Sequence, residues 1–291
     1  MPAYRLIALD VDGTLLDSSG RISQRTKAAV CAAAAAGCVV VLATGRRFRT
    51  VQPIAEALGC CPVLVCSQGA TIWHNGELLY HQHMTLPAAL RVVEAHRACG
   101  VPVVLFGNVA AGASRDIIFV DGDWHANARL RAYIERNGQW VRPYEDGCLA
   151  AGPVQTITLD TVDRLQRLRE ELERHPQAGS LYRVIYSLTQ LAGGGAVEVL
   201  HPHVSKATAL QYLCQEFGIS RRQVLAIGDN VNDVEMLGFA GLGVAVANAS
   251  DEAKRVAQLI APSHDEDGVA CVLEEYVLDG RRAEKAIPPA S

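Results

Sequence analysis

The apolar run Leu6–Leu9 stops at two aspartates one residue apart and then a Gly-Thr turn, reading LIALDVDGT over residues 6–14. Short apolar runs closed by turn residues read as strands buried on both faces, which belong to parallel sheets covered by helices. In open α/β sheets the binding crevice lies beyond the carboxyl ends of the strands. Asp10, at the end of this strand, would therefore face the crevice, with Gly13 permitting a sharp bend. Side-chain direction repeats every two residues in extended backbone, which puts Asp12 on the same side. Two carboxylates this close repel unless a cation or a shared proton relieves them, and a hard oxygen-seeking ion such as Mg²⁺ is suited to it. One could also attack an electrophile while the other moves protons. The non-catalytic alternative is an aspartate pair capping a turn, and DxDG alone does not separate the two.

Strand and helix patterns alternate through the first 80 residues. Ser23 can cap a helix that ends at Gly37, Val39 to Leu42 forms a second strand ending at Thr44-Gly45-Arg46, a helix runs to Leu58 and Gly59, and Pro62 to Cys66 forms a third strand ending at Ser67-Gln68-Gly69-Ala70. Repeated βα units imply a parallel sheet with right-handed crossovers. The pattern changes near residue 81. Helices near 87–99, 124–137 and 162–174, with strands near 101–106, 116–120, 154–160, 182–188 and 196–200, predict an inserted α+β unit. Gly193-Gly194-Gly195 and the Ala/Gly stretch at 110–113 read as its turns. Alternation resumes with a helix from Ser205 to Phe217, strands at 224–227, 243–246 and 258–261, and helices near 231–239, 250–257 and 268–278, ahead of a frayed tail at 281–291.

Three further strings fall on the same sheet edge. Val224 to Ile227 runs into GDNVND, placing Asp229, Asn230, Asn232 and Asp233 at a strand end, where Asp229 would be a metal ligand and Asn232 and Asp233 would orient ligands or phosphate. An Asx-rich turn capping the next helix is the alternative. Thr44 and Gly45 close a strand and are expected to open a helix, where free amides and the dipole favour an anion. Lys206 follows the capping residue Ser205 in a first helical turn, where its charge opposes the dipole, so a counter-anion is expected beside it; otherwise it is a solvated lysine. Together these supply the inventory for phosphoryl transfer, in which catalysis is mainly positioning and charge neutralisation.

At 291 residues, 49% hydrophobic and 20% charged, the chain is globular and long enough for one large or two modest domains. Its net charge of −4, with scattered basic residues, leaves no electrostatic footprint for nucleic acid but permits a small anionic ligand. Nine cysteines, without ligand spacing, read as reduced core residues. No signal segment or membrane-length apolar run is evident, so a cytoplasmic protein with no membrane partner is expected. His74, His81 and His83 raise a zinc site, yet Asn75-Gly76 between apolar flanks reads better as a hairpin turn. Trp124 and Tyr186 are either core or pocket lining.

DVDGTLLDS, ATGR, SKATAL and GDNVND, in that order and with the long insertion before the lysine, resemble the haloacid dehalogenase-like hydrolases, specifically the Cof-type phosphatases of subfamily IIB. LGVAVANAS and DEDGVA extend the resemblance over nearly the whole chain. It implies an α/β fold: a Rossmann-like parallel-sheet core from residues 1–84 and 201–291, with an inserted α+β cap at 85–200. By position, Asp10 corresponds to the nucleophile that forms an aspartyl-phosphate and Asp12 to the general acid/base. Mg²⁺ would be held by the Asp10 carboxylate, the Asp12 backbone carbonyl and Asp229, with Asp233 in support, and phosphate by Thr44, Gly45, Lys206 and Asn232. Two departures stand out: Ser67-Gln68-Gly69, where relatives usually place Asn before the glycine, and Ala207 in place of a frequent glycine. The implied function is Mg²⁺-dependent hydrolysis of small phosphorylated metabolites, sugar phosphates or similar monoesters, by a monomer or small homo-oligomer. A phosphomutase would use the same carboxylates, and a phosphate-binding regulatory module would need no nucleophile.

Overall fold

The computed structural model describes residues 3–107, 117–145, 147, 152–189 and 194–279. β1 (Leu6–Leu9) is buried at every position. It leads to α1 (Gln24–Ala35), where the Ser23 hydroxyl accepts from Thr26 N, a cap worth about 1 kcal/mol. β2 (Val39–Ala43), α2 (Phe48–Leu58) and β3 (Val63–Cys66) follow, with Gly59 ending α2 in the left-handed region at φ 77°. β4 (Thr71–His74) and β5 (Glu77–His81) form the expected hairpin, and both turn residues, Asn75 at φ 51° and Gly76 at φ 80°, take the positive φ of a type I′ turn.

The insertion comprises α3 (Leu86–Cys99), β6 (Val103–Phe106), β7 (Ile118–Asp121), α4 (Ala128–Arg136), β8 (Val141–Pro143), β9 (Gln155–Thr161), α5 (Val162–Glu173), the short α6 (Ala178–Leu181), β10 (Arg183–Thr189) and β11 (Gly194–Leu200). Its six strands run in the order β10-β11-β9-β6-β7-β8, antiparallel except for the β7–β8 pair. Leu165, Leu168 and Leu172 line one face of α5 and pack with Val92 of α3 and with Tyr182, Val197 and Val199; Tyr186 joins this core. Trp124 is half-buried and stacks on His125.

Two expectations shift and one strand was not foreseen. α4 starts at Ala128 instead of near 124, because Asn127 caps it, its Oδ1 accepting from Arg129 N and Leu130 N. β8 is an edge strand too short and proline-bearing to leave a pattern. Gly194 and Gly195 are strand residues of β11, and a Cβ at Gly194 would collide with the Arg129 guanidinium, a reason for glycine that has nothing to do with turning. Gly193, the stretch at 110–113 and the tail at 281–291 lie outside the described residues.

The chain then returns through α7 (Lys206–Glu216), β12 (Val224–Gly228), α8 (Val234–Phe239), β13 (Leu242–Val246), α9 (Asp251–Val256), β14 (Leu259–Ala261) and α10 (Gly268–Leu273). The eight-stranded sheet has the order β14-β13-β12-β1-β2-β3-β4-β5 and is parallel from β14 to β3. This is a Rossmann-like α/β core. Residues up to Tyr80 and from Ser205 onward make one compact unit, and His81–Val204 make the other. Leu9 lies opposite both Leu42 and Ile227, so the loops after β1, β2 and β12 leave the sheet along one edge. Among the described residues no helix is long and apolar enough to cross a membrane.

Candidate active site

Asp10 follows β1 directly, and its amide extends the ladder by donating to Ile227 O at 2.9 Å. Its carboxylate is almost wholly buried, and Oδ1 accepts from Lys206 Nζ at 2.6 Å. The same ammonium donates to Asp233 Oδ1, also at 2.6 Å, and neither of those two side chains is exposed at all. The counter-anion expected for Lys206 is thus a pair of carboxylates. Ser205 and Thr208 close a capping box, which anchors the first turn of α7 and aims Lys206 from it. Burial alone pulls the Lys206 ammonium down, but the facing charges of Asp10 and Asp233 overcome it and the net displacement is upward.

Asp233 Oδ2 accepts from the amides of Asp229 and Asn230, both at 3.0 Å. One residue therefore serves as the loop's cap and the lysine's partner. Asp229 Oδ1 accepts from Thr14 Oγ1 at 3.1 Å, and burial, reinforced by the charge of Asp233, pushes its carboxyl up to about 6. Burial, then Asp233, likewise holds Asp10 well above the usual carboxylate range, against the pull of Lys206. Gly13, at φ 83°, closes over this cluster: a Cβ there would lie 2.5 Å from Asp229 Oδ2.

Asp10, Asp229 and Asp233 each place one oxygen within 4.8 Å of the others. An all-oxygen set of this kind fits a hard divalent cation. Asp233 already accepts from Lys206 and two amides, so Asp10 and Asp229 keep more lone pairs open than it does. The histidines do not converge in this way; His81 and His83 stack on each other with ring centroids 4.6 Å apart, and His74 stands at the far end of the hairpin.

Asp12 departs from the expectation that it shares the setting of Asp10. Its side chain is 57% exposed and gripped by Arg46, with Nε on Oδ2 at 2.7 Å and a terminal nitrogen on Oδ1 at 2.5 Å. The repulsion between the two aspartates is thus relieved by separate cations. Thr44 and Gly45 also differ: α2 begins only at Phe48 with Arg47 at its cap, because Thr44-Gly45-Arg46 first makes a loop in which Thr44 Oγ1 accepts from Arg46 N at 3.1 Å. Asn232 Nδ2 donates to Gln68 Oε1 at 3.0 Å, and Gln68 lies against Gly45. All eight residues picked from the sequence therefore sit on one sheet edge. Arg46 and Thr14 were given no role by sequence reasoning, although they lie inside ATGR and DVDGTLLDS, and Gln68 stood out only as a departure from the family's usual Asn. Asn248, which braces Gly13 O at 2.8 Å, sits in LGVAVANAS and was equally unassigned.

Several chains similar to this one over their whole length are phosphatases by name, which sets the class: a phosphoric monoester hydrolase. A model of the haloacid dehalogenase-like hydrolases matches residues 7–273, and the chain belongs to that family, in its Cof-type branch. The 5-amino-6-(5-phospho-D-ribitylamino)uracil phosphatase YcsE of Bacillus subtilis is 28% identical, over 94% of this chain and 96% of its own. The putative phosphatase YxeH of the same organism is also 28% identical, over 94% and 99%. Among solved structures, a haloacid dehalogenase-like hydrolase from Bacteroides thetaiotaomicron superposes with a TM-score of 0.76 at 26% identity, covering 93% of this chain and 98% of that one.

Proposed function

We propose that this chain hydrolyses small phosphorylated metabolites, sugar phosphates or related monoesters, with Mg²⁺ as cofactor and through an aspartyl-phosphate on Asp10. The observation that carries the reading is the buried Lys206 ammonium bridging Asp10 and Asp233 at 2.6 Å each, beside Asp229. A binding module has no use for a desolvated carboxylate held ready at a sheet edge. Asp10 Oδ1 is committed to Lys206, leaving the other oxygen to attack phosphorus as the bond to the ester oxygen breaks. Asp12 delivers a proton to that leaving oxygen, which requires the Arg46 fork to open, and then takes one from the water that hydrolyses the acyl phosphate, returning Asp10 and releasing orthophosphate. Thr44, whose Oγ1 already accepts from Arg46 N, keeps its O–H as a donor for phosphate, alongside Gly45, Asn232 and Lys206. Asp10, the Asp12 carbonyl and Asp229 would hold Mg²⁺, with Asp233 in support; the ion supplies charge neutralisation at the phosphoryl group.

The similarity to YcsE, whose name specifies a phosphorylated ribityl chain, favours polyol and sugar phosphates as the first substrates to try. The eight described cysteines are all free, which suits the reducing cytoplasm. The test is orthophosphate release from a panel of phosphorylated metabolites in Mg²⁺ and in EDTA. Metal-dependent release from several sugar phosphates is expected; isomer exchange without release would make the chain a mutase.

A further inference from the structure

Gln68 is buried to 3% exposure in the core unit, at φ 59° between Ser67 at 49° and Gly69 at 105°. Of these three successive positive-φ residues, Gly69 is at ease there, whereas Ser67 and Gln68 are strained and persist only where the surroundings fix them. Here the surroundings are the neighbouring loops. Ser67 N donates to Arg46 O at 2.9 Å and Gln68 N to Thr44 O at 3.0 Å. Gly69 lies so close to Ser205 O, at the cap of α7, that a Cβ would collide with it. The Gln68 side chain completes the arrangement. Its Nε2 lies over Gly45, where a Cβ would be only 2.5 Å away, and its Oε1 accepts from Asn232 Nδ2 at 3.0 Å.

The terminal torsion of an asparagine is broad and leaves its amide free to turn. An acceptor at a fixed point removes that freedom: with one N–H of Asn232 committed to Gln68, the direction of the other is set. We propose that Gln68 is a positioning residue for phosphate, fixing the Asn232 amide and bracing Gly45 so that both meet the same anion. Its strained backbone is what brings its side chain there. The proposal rests on the phosphatase reading above.

The test uses the full chain with p-nitrophenyl phosphate as substrate and orthophosphate as competitive inhibitor. Asparagine tolerates the left-handed region well, so Gln68→Asn keeps the melting temperature while its shorter side chain loses Asn232. Gln68→Met keeps the length and removes the acceptor. Both are expected to raise KM and the orthophosphate inhibition constant about tenfold, the order for one hydrogen bond to a charged ligand, with kcat changed less than about twofold. Because part of the effect passes through Asn232, Gln68→Asn added to Asn232→Ala should cost less than the product of the two single losses. Unchanged constants in either folded variant, or losses that multiply in the double variant, overturn the proposal. A wild-type chain that releases phosphate from no ester removes the phosphatase reading instead. Orthophosphate affinity by calorimetry then decides the Gln68 claim alone, and equal affinity in wild type and Gln68→Asn overturns it.

Discussion

Lys206→Met tests the electrostatic centre of the core directly. The wild-type ammonium is fully buried and makes two 2.6 Å bonds, to carboxylates exposed by only 7% and 0%. Removing one partner of a buried pair typically costs about 3–5 kcal/mol, because the remaining charge stays desolvated and uncompensated. Here two carboxylates lose their cation at once, with Asp229 adjacent, so a loss at the upper end of that range is expected at pH 8 in EDTA. The loss should shrink with acid. Burial and Asp233 already raise the Asp10 carboxyl, and Lys206 is the group that opposes them; without it the carboxyl rises further. An acid whose folded pKa exceeds its unfolded value binds more protons when folded, so the variant loses stability as pH rises through that window and regains it as pH falls. Native-state hydrogen exchange at β1 and β12 amides, at pH 5 and pH 8, reads the core unit by itself. A loss below about 1 kcal/mol, or one equal at both pH values, would refute the reasoning.

Asp12→Asn should slow release from alkyl phosphates far more than from p-nitrophenyl phosphate, whose leaving group needs no proton; equal losses in steady-state assays would count against acid catalysis. Mg²⁺ must displace the proton that Asp229 holds up to about pH 6, so calorimetric affinity should fall at least about tenfold between pH 7.5 and pH 5, whereas a flat profile would remove Asp229 from the ligand set. In the insertion, burial drives His96 down to about 4, with Nδ1 3.1 Å from Val101 O. A base depressed on folding contributes stability above its unfolded pKa of 6.5 that is lost as pH falls toward 4, on the order of 3 kcal/mol in full. Exchange protection of α3 should drop accordingly, and His96→Gln should flatten the dependence.

The legible part of this site was what strand ends and charge signs dictate. Asp10 and Asp229 directly follow apolar strands, and parallel pairing forces those ends to one edge. Lys206 announced its anions by sitting where the helix dipole repels it. The remainder depends on loop geometry that residue type does not encode. Period-two alternation placed Asp12 beside Asp10, but the chain turns straight after β1, with Val11 O accepting from the amides of Leu15 and Leu16, and Arg46 reaches across from another loop. Thr44-Gly45 read as a helix start because the loop before Phe48 carries no punctuation of its own. Gln68 in left-handed backbone contradicts its own propensity, and the contacts imposing that conformation come from loops distant in sequence.

The central claim is that Asp10 carries the phosphoryl group. Rapid quenching of a single turnover with Mg²⁺ and a good substrate, followed by peptide mass spectrometry, tests it most directly. The account predicts a transient phosphorylated peptide whose modification maps to Asp10, absent from Asp10→Asn, which also releases no orthophosphate. Sustained turnover by Asp10→Asn, or a phosphoryl group on any other residue, would contradict it.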